Sequence, residues 1–224
     1  LDASEIPPTF GVPPDLVQGV IAGGFPALYR ASEASEDDRE QGADDMRSLQ
    51  IDQKDAVIGI AASGKTRYTI GAVEYARKLG AYTACIVCVP ESELTKAVES
   101  PLVVVVGPEV ITGSTRMKSG TAQKMILNMI STLTMVRLGY VRGNEMTNLK
   151  TSNVKLRERS LRILMEETGL EIDAAGEYLR SADDDLRVAL VMFATGKNKE
   201  TALSALKETD FVVEKAVKDI KCKL

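Results

Sequence analysis

The chain has 224 residues, of which 44% are hydrophobic and 27% are charged, a composition typical of a globular protein rather than a disordered one. Its formal net charge of −4 argues against a general nucleic-acid-binding protein, because neutralising a phosphate backbone needs a basic face. One small anionic molecule can still bind, since a few local donors hold a single phosphate. No apolar run reaches the roughly 18 residues of a membrane helix. We therefore expect a cytoplasmic protein without a signal peptide.

Four continuous apolar runs predict buried parallel strands, because strands covered on both faces do not alternate between apolar and polar residues. They cover residues 17–22, 56–61, 82–89 and 102–106. The first three are each followed by turn residues and a helical pattern, and such repeats favour an α/β fold with helices on both faces of the sheet. The opening segment contains Pro7-Pro8, which we expect to stop any helix and leave a stiff loop.

Helical spacing of apolar residues predicts the remaining elements. Helices are expected at 26–33, 37–49, 66–79, 117–138, 156–167, 172–179, 184–193 and 201–220. The longest of them carries a broad apolar face that includes Met125 and Met129, which we interpret as part of the core. The C-terminal part is helical and charge-rich, and its last three helices resemble a ubiquitin-associated bundle. We therefore expect two domains, at 1–150 and 151–224.

Residues 59–66 fit the G-x-x-x-x-G-K-[ST] pattern of the phosphate-binding loop in nucleotide hydrolases. The interior residues Ile60, Ala61 and Ala62 are apolar and are predicted to belong to the strand. No later predicted strand ends in an Asp suited to hold Mg²⁺, so a nucleotide site is disfavoured. A monophosphate at the start of the following helix remains open, since helix N-termini present free N–H groups. A capped helix with nothing bound explains the same residues equally well.

Residues 107–124 place hydroxyl groups, glycines and basic residues between a predicted strand and the longest predicted helix. Hydroxyl and backbone donors at a helix start suit a phosphate or the hydroxyl groups of a sugar. A loop with a helix cap explains Ser114 and Thr115 equally well. The acidic run at 31–40, taken alone, indicates a solvent-exposed helix end.

Two of the three cysteines, Cys85 and Cys88, form a C-x-x-C pair inside a predicted buried strand. A redox pair is expected at a helix start, and a zinc site would need a second pair or histidines, of which the chain has none. We therefore expect neither a metal nor a redox cofactor.

Three stretches carry a resemblance to a known family. Residues 107–124 resemble a signature shared by N-acetylmuramic acid 6-phosphate etherases and the glucokinase regulatory protein, within the sugar isomerase superfamily. The opening residues 1–11 are similar to the etherases' own motif, which favours an etherase over the regulator. Residues 60–68 resemble the etherases' Ala-Ala-Ser-Gly-Arg-Thr-Pro-Tyr stretch, with Lys65 in place of Arg and Arg67 in place of Pro. The similarity covers nearly the whole chain.

The resemblance implies a sugar-isomerase-type three-layer α/β sandwich with a parallel sheet, followed by the small helical bundle. The first domain is expected to lack its N-terminal part, because the chain opens at Leu1 without an initiator Met. The implied activity is that of a lyase, which removes D-lactate from N-acetylmuramic acid 6-phosphate by elimination and hydration and yields N-acetylglucosamine 6-phosphate. The resemblance also implies a homodimer with shared sites and no cofactor. The alternative is a non-catalytic regulatory protein that binds a sugar phosphate.

The same resemblance places two catalytic carboxyl groups on Glu5 and Glu36, with Glu5 as the acid and Glu36 as the base by analogy, or the reverse. Two carboxyls can share this work when their environments separate their pKa values. The family usually reads Glu-Gly-Ala-Glu-Asp around the second glutamate, whereas this chain reads Glu33-Ala34-Ser35-Glu36-Asp37. The remaining expected substrate contacts are Ser63, Thr66, Glu109, Ser114, Thr115 and Lys118.

Overall fold

The computed structural model describes residues 1–30, 32–148 and 154–223. The described elements, in chain order, are α1 (Asp2–Phe10), a 3-10 turn (Phe25–Leu28), α2 (Glu33–Glu36), α3 (Arg39–Ser48), β1 (Ala56–Ile60), α4 (Arg67–Lys78), β2 (Tyr82–Val87), α5 (Glu93–Ala97), β3 (Ser100–Val103), α6 (Lys118–Leu138), β4 (Val141–Arg142), β5 (Glu145–Met146), α7 (Val154–Thr168), α8 (Ile172–Ser181), α9 (Leu186–Thr195), α10 (Lys199–Glu208) and α11 (Val213–Cys222). Among the described helices, none combines the length and the apolar character needed to cross a bilayer.

The described chain forms two compact units. One contains Val20–Met129, and the other joins Leu1–Gly19 to Ile130–Leu224. The predicted boundary between residues 150 and 151 lies outside the described residues, so the division into domains at 1–150 and 151–224 stays a prediction.

The unit Val20–Met129 is built on a parallel sheet with the strand order β1-β2-β3. Ala56 of β1 lies opposite Tyr82 of β2, and Ala84 of β2 lies opposite Ser100 of β3. The helices α4 and α5 connect these strands and contribute to one core, which contains Ile70, Val73, Cys85, Val87 and Leu94. The predicted α/β fold with a parallel sheet is confirmed, and Cys85 serves it as a small buried side chain.

The predicted strand at 17–22 is wrong, because this stretch is irregular and makes turns. Val20 and Ile21 are exposed, whereas Val17 packs against an apolar cluster around Phe10. The helix predicted at 26–33 is also wrong, since only a 3-10 turn and the separate short α2 form there. An apolar run this short can form a strand, a helix or a loop, and its periodicity alone does not distinguish these structures.

Two glycines let α3 and α4 approach each other closely. A Cβ atom on Gly42 would lie 2.0 Å from the backbone oxygen of Tyr68, and one on Gly71 would lie 1.9 Å from that of Arg39. The hydroxyl of Tyr68 also donates a hydrogen bond to the carboxylate of Asp45, and burial raises the pKa of this hydroxyl. The distance between α3 and α4 therefore depends on both glycines, and any larger side chain at either position would push the helices apart.

In the other unit, α1 runs through Pro7 and Pro8, so the prediction that this pair stops any helix is wrong. The fixed φ of proline is compatible with a helix, and the cost lies in two lost hydrogen bonds to the preceding turn and in ring crowding. Ile6 and Phe10 are buried in a cluster with Met135 of α6, and this burial offsets the cost.

The helices α7 to α11 share one apolar core within the same unit, so the predicted C-terminal helical bundle is confirmed. Its buried side chains include Ile163, Leu179, Leu186 and Leu206. The helix predicted at 201–220 is wrong as a single element, because it breaks into α10 and α11 around Phe211. Asp210 and Phe211 adopt positive φ angles of 51° and 59°, which a right-handed helix does not accommodate.

The apolar face of α6 lies largely on the surface, contrary to its interpretation as core. Met125, Met129 and Leu133 are 59%, 53% and 62% exposed, whereas Met135 is 1% exposed. The spacing of these residues predicts the helix correctly, but it carries no information about what covers the face.

Candidate active site

A first group of predicted site residues lies in the loops at the carboxyl edge of the parallel sheet. Because the three strands are parallel, the segments that follow Ile60, Val87 and Val103 all leave from the same edge. Open parallel sheets bind ligands outside this edge. Ser63 and Thr66 lie after β1, and the stretch 104–117, with Ser114 and Thr115, lies after β3.

The loop after β1 is a tight turn held by the neighbouring loop. The N–H of Gly64 donates to the carbonyl of Ala61 at 3.0 Å, and Gly64 has a φ of 62°. A Cβ atom on Gly64 would lie 2.2 Å from the hydroxyl oxygen of Ser92, so only glycine fits against the loop after β2. The hydroxyl of Ser63 is exposed and accepts from the N–H of Lys65 at 3.3 Å.

At the N-terminus of α4, no side-chain cap occupies the backbone N–H groups, so a ligand can bind them. Thr66 is the N-cap residue of α4, and its side chain makes no capping hydrogen bond. The first N–H groups of a helix have no partner within the helix, and the positive end of the helix dipole lies there. The exposed hydroxyl of Ser63 lies three residues before it. This arrangement suits one phosphate group.

At the N-terminus of α6, by contrast, a carboxylate already occupies the N–H groups. Glu109 accepts from the N–H of Lys118 at 3.1 Å and from that of Ser119 at 3.0 Å. These hydrogen bonds, first that of Ser119, hold the pKa of Glu109 below its ordinary value. The ammonium group of Lys118 donates to the carbonyl of Pro108 at 2.8 Å. Glu109 thus binds the start of α6, and Lys118 binds the loop that carries Glu109. The predicted contact of these two residues with substrate stays a prediction.

Ser114 and Thr115 lie in the turn that precedes α6. The N–H of Ser114 donates to the carbonyl of Ile111, and the N–H of Gly120 donates to the carbonyl of Thr115, both at 3.0 Å. These bonds involve the backbone, and neither hydroxyl group has a hydrogen-bond partner among the described residues. Thr115 is exposed and Ser114 is half-buried.

Glu36 is the last residue of the short helix α2 and is exposed. Asp38 then caps α3 by accepting from the N–H of Gln41 at 2.9 Å. Arg39, the first residue of α3, donates to both carboxylate oxygens of Glu74 in α4, at 2.5 and 3.2 Å. This hydrogen bonding to Glu74 raises the pKa of the Arg39 guanidinium, which lies three residues after Glu36 in the chain.

Glu5 is exposed on α1, whereas Ile6 and Phe10 of the same helix are buried. The α1 helix is held to α6 through Met135 and through a hydrogen bond from the hydroxyl of Ser131 to Asp2 at 3.3 Å. Glu5 belongs to the unit formed by Leu1–Gly19 and Ile130–Leu224, whereas the other seven predicted site residues belong to the unit Val20–Met129.

Comparison with known proteins identifies the family. A family model described as the glucokinase regulatory protein N-terminal SIS domain matches residues 4–77. An N-acetylmuramic acid 6-phosphate etherase of Clostridioides difficile (strain 630) is 47% identical over 220 residues, which are 98% of this chain and 72% of the relative. One from Pectobacterium atrosepticum is 48% identical over 97% of this chain and 72% of its own length. One from Symbiobacterium thermophilum is 53% identical over 88% of this chain and 65% of its own length.

The chain belongs to the N-acetylmuramic acid 6-phosphate etherase family.

Membership in the etherase family decides between the two families that share the 107–124 signature, the etherases and the regulatory protein. The regulator's family model matches only residues 4–77, whereas the etherases match almost the whole chain, including the C-terminal bundle. The regulatory alternative is therefore not favoured. Among the described residues, no group of three or more His, Cys, Asp or Glu side chains is arranged to hold a metal ion.

The structure adds two residues that no sequence motif singles out in this etherase-family chain. Ser92 lies against Gly64 and caps α5 by accepting from the N–H of Thr95 at 3.3 Å. A serine directly before a short helical pattern is the signal that predicts such a cap. Arg39 is paired with Glu74, 35 positions away, and no local pattern in the sequence connects the two.

Proposed function

We propose that this chain is a carbon–oxygen lyase that cleaves the D-lactyl ether of N-acetylmuramic acid 6-phosphate, giving N-acetylglucosamine 6-phosphate and D-lactate. The observation that carries the proposal is the 47% identity to an etherase over 98% of the chain. The geometry agrees with a phosphorylated substrate, because an uncapped helix N-terminus and an exposed hydroxyl lie together at the carboxyl edge of the sheet.

The proposed reaction needs one base and one acid. The base removes the proton from C2 of the sugar, the bond between C3 and the ether oxygen breaks, and the acid protonates that oxygen as D-lactate departs. Water then adds across the C2–C3 double bond, with a hydroxyl group at C3 and a proton at C2. We assign these roles to Glu36 as the base and Glu5 as the acid, since the chain contains no His to share them.

We assign the phosphate of the substrate to Ser63 and Thr66 at the start of α4. The support is an exposed hydroxyl beside helix N–H groups that no side-chain cap occupies. Ser114 and Thr115 are assigned to the same substrate from the loop after β3, because within the described part of the chain only their backbones are engaged. Replacing Ser63 or Ser114 with Ala should raise the KM for the phosphorylated sugar. An unchanged KM in both variants would leave these residues a structural role only.

A test of the activity measures D-lactate release from N-acetylmuramic acid 6-phosphate. The wild-type protein should release lactate, and Glu36→Gln should abolish the release. Because Glu36 is exposed, this change should alter the free energy of unfolding by no more than about 0.5 kcal/mol. Glu33→Gln, an exposed change at the other end of α2, is the matched control and should retain activity. Near wild-type release by Glu36→Gln would show that Glu36 is not the base.

We also propose that the protein is a cytoplasmic homodimer and that a second copy covers the exposed apolar face of α6. The support is the row of Met125, Met129 and Leu133, since contiguous exposed apolar surface of this kind marks interaction sites. In light scattering, the wild-type protein should have the mass of a dimer, and Met129→Glu should shift it to a monomer. Thr134→Glu, on the same helix but away from this row, is the control and should remain dimeric. A monomeric wild-type protein would refute the proposal.

A further inference from the structure

One arginine, three residues after the proposed base in the chain, connects three helices. The guanidinium of Arg39 forms a fork with the carboxylate of Glu74 on α4, at 2.5 and 3.2 Å. Its remaining nitrogen lies 3.5 Å from a carboxylate oxygen of Glu93 on α5. A planar guanidinium that binds one carboxylate with two parallel N–H groups fixes orientation as well as distance.

The backbone of the same residue is equally constrained. The carbonyl oxygen of Arg39 lies where a Cβ atom on Gly71 would approach to 1.9 Å, so α3 and α4 meet there without an intervening side chain. The helix α4 begins directly after Thr66, and Ser63 lies three residues before Thr66; the proposed function assigns both residues to the phosphate. The position of Arg39 is thus tied to the helix that carries the phosphate site.

Arg39 is also tied to the proposed base. Only Asp37 and Asp38 separate it from Glu36, and Asp38 is held as the N-cap of α3. The three Cα–Cα steps from Glu36 to Arg39 span at most about 11 Å when extended. This short connection, fixed at Asp38, couples the backbone of Glu36 to the start of α3.

From these contacts we propose that Arg39, through its fork to Glu74, is a positioning residue that sets the distance between Glu36 and the phosphate site at the start of α4. This inference rests on the proposed function. The pair is half-exposed, with side-chain exposures of 42% and 35%, so its contribution to stability is small. A displacement of about 1 Å at a reacting group can nevertheless lower a rate about 100-fold. The pair should therefore affect turnover more than folding.

The experiment is a double-mutant cycle on the whole chain with Arg39→Gln, Glu74→Gln and the double variant. Each single change should lower the kcat for lactate release about 10- to 100-fold, with the KM within about threefold, since the phosphate site is untouched. The double variant should be no slower than the slower single variant, because both changes break the same contact. Arg39→Lys, which keeps the charge and loses the fork, should fall between the wild type and Arg39→Gln.

The matched control is Arg162→Gln, which breaks an exposed ion pair with Glu166 within α7 and should keep the wild-type kcat. Three results would overturn the inference alone: an unchanged kcat in Arg39→Gln, independent multiplicative losses in the double variant, or loss of the cooperative melting transition in both single variants. Absence of lactate release by the wild-type protein would overturn the proposed function and this inference with it.

Discussion

The close crossing of α3 and α4 makes Gly71→Ala a sharp test of the fold around the site. In an isolated helix this change is favourable by roughly 0.5–1 kcal/mol, because alanine restricts the unfolded chain. Here the new Cβ atom would lie 1.9 Å from the carbonyl oxygen of Arg39, whereas ordinary contact begins at 3.4 Å. The neighbour is backbone and not a flexible side chain, so α3 must retreat by roughly 1.5 Å, the difference between these distances.

Overpacking of this kind costs about 1–3 kcal/mol, which outweighs the gain from helix propensity. We therefore expect Gly71→Ala to lower the free energy of unfolding by about 1–2 kcal/mol. The Tm should fall by roughly 2–4 °C per kcal/mol for a protein of this size. Because the displaced α3 follows Glu36 in the chain, lactate release should fall about 100-fold. Circular dichroism during heating and the lactate assay measure the two effects.

Gly176→Ala in α8 is the matched control, because its Cβ atom would lie 3.6 Å from the end of the flexible Arg180 side chain. This change should raise the free energy of unfolding by about 0.5–1 kcal/mol. The two mid-helix substitutions should thus have opposite signs. If Gly71→Ala instead melts at or above the wild-type temperature and retains the wild-type rate, the close contact with Arg39 does not determine this crossing.

Four further predictions concern other residues. The lowered pKa of Glu109 means that its carboxylate stabilises the fold above the ordinary pKa of glutamate and that this contribution is lost as the pH falls through the lowered value. Glu109→Gln should accordingly melt below the wild type near neutral pH, with a difference that shrinks in acid; a difference independent of pH would contradict this. Ser160 is buried in α7, with no partner for its hydroxyl among the described residues, so Ser160→Ala should raise the free energy of unfolding in urea by about 1 kcal/mol. Thr209→Val, which removes a buried hydroxyl that donates at 2.8 Å, should lower it by about 1 kcal/mol, and equal signs would contradict the reasoning. Calorimetry should detect no binding of ATP with Mg²⁺, and micromolar binding that disappears in Lys65→Ala would favour a nucleotide hydrolase instead.

Local patterns in the sequence predicted the elements whose partners lie nearby. The apolar runs at 56–61 and 82–89 and the helical spacing at 66–79 correspond to β1, β2 and α4, which pair or pack in succession. Such a strand–helix–strand unit has one favoured handedness, so its arrangement follows once the elements are known. The run at 17–22 is as apolar as a strand, but it does not pair with any strand of the described sheet. Whether an apolar run pairs depends on the strands beside it, which its own sequence does not show.

The sequence by itself determined the family resemblance, the α/β class and the candidate carboxyl groups, because these depend on residue identity and local spacing. The tertiary structure alone decided that α1 continues through Pro7-Pro8, that the apolar face of α6 is exposed, and that Arg39 meets Glu74. Each of these outcomes depends on what a distant segment places opposite the residue. Burial, close packing and a bidentate ion pair are properties of two surfaces, and one stretch of sequence describes only one of them.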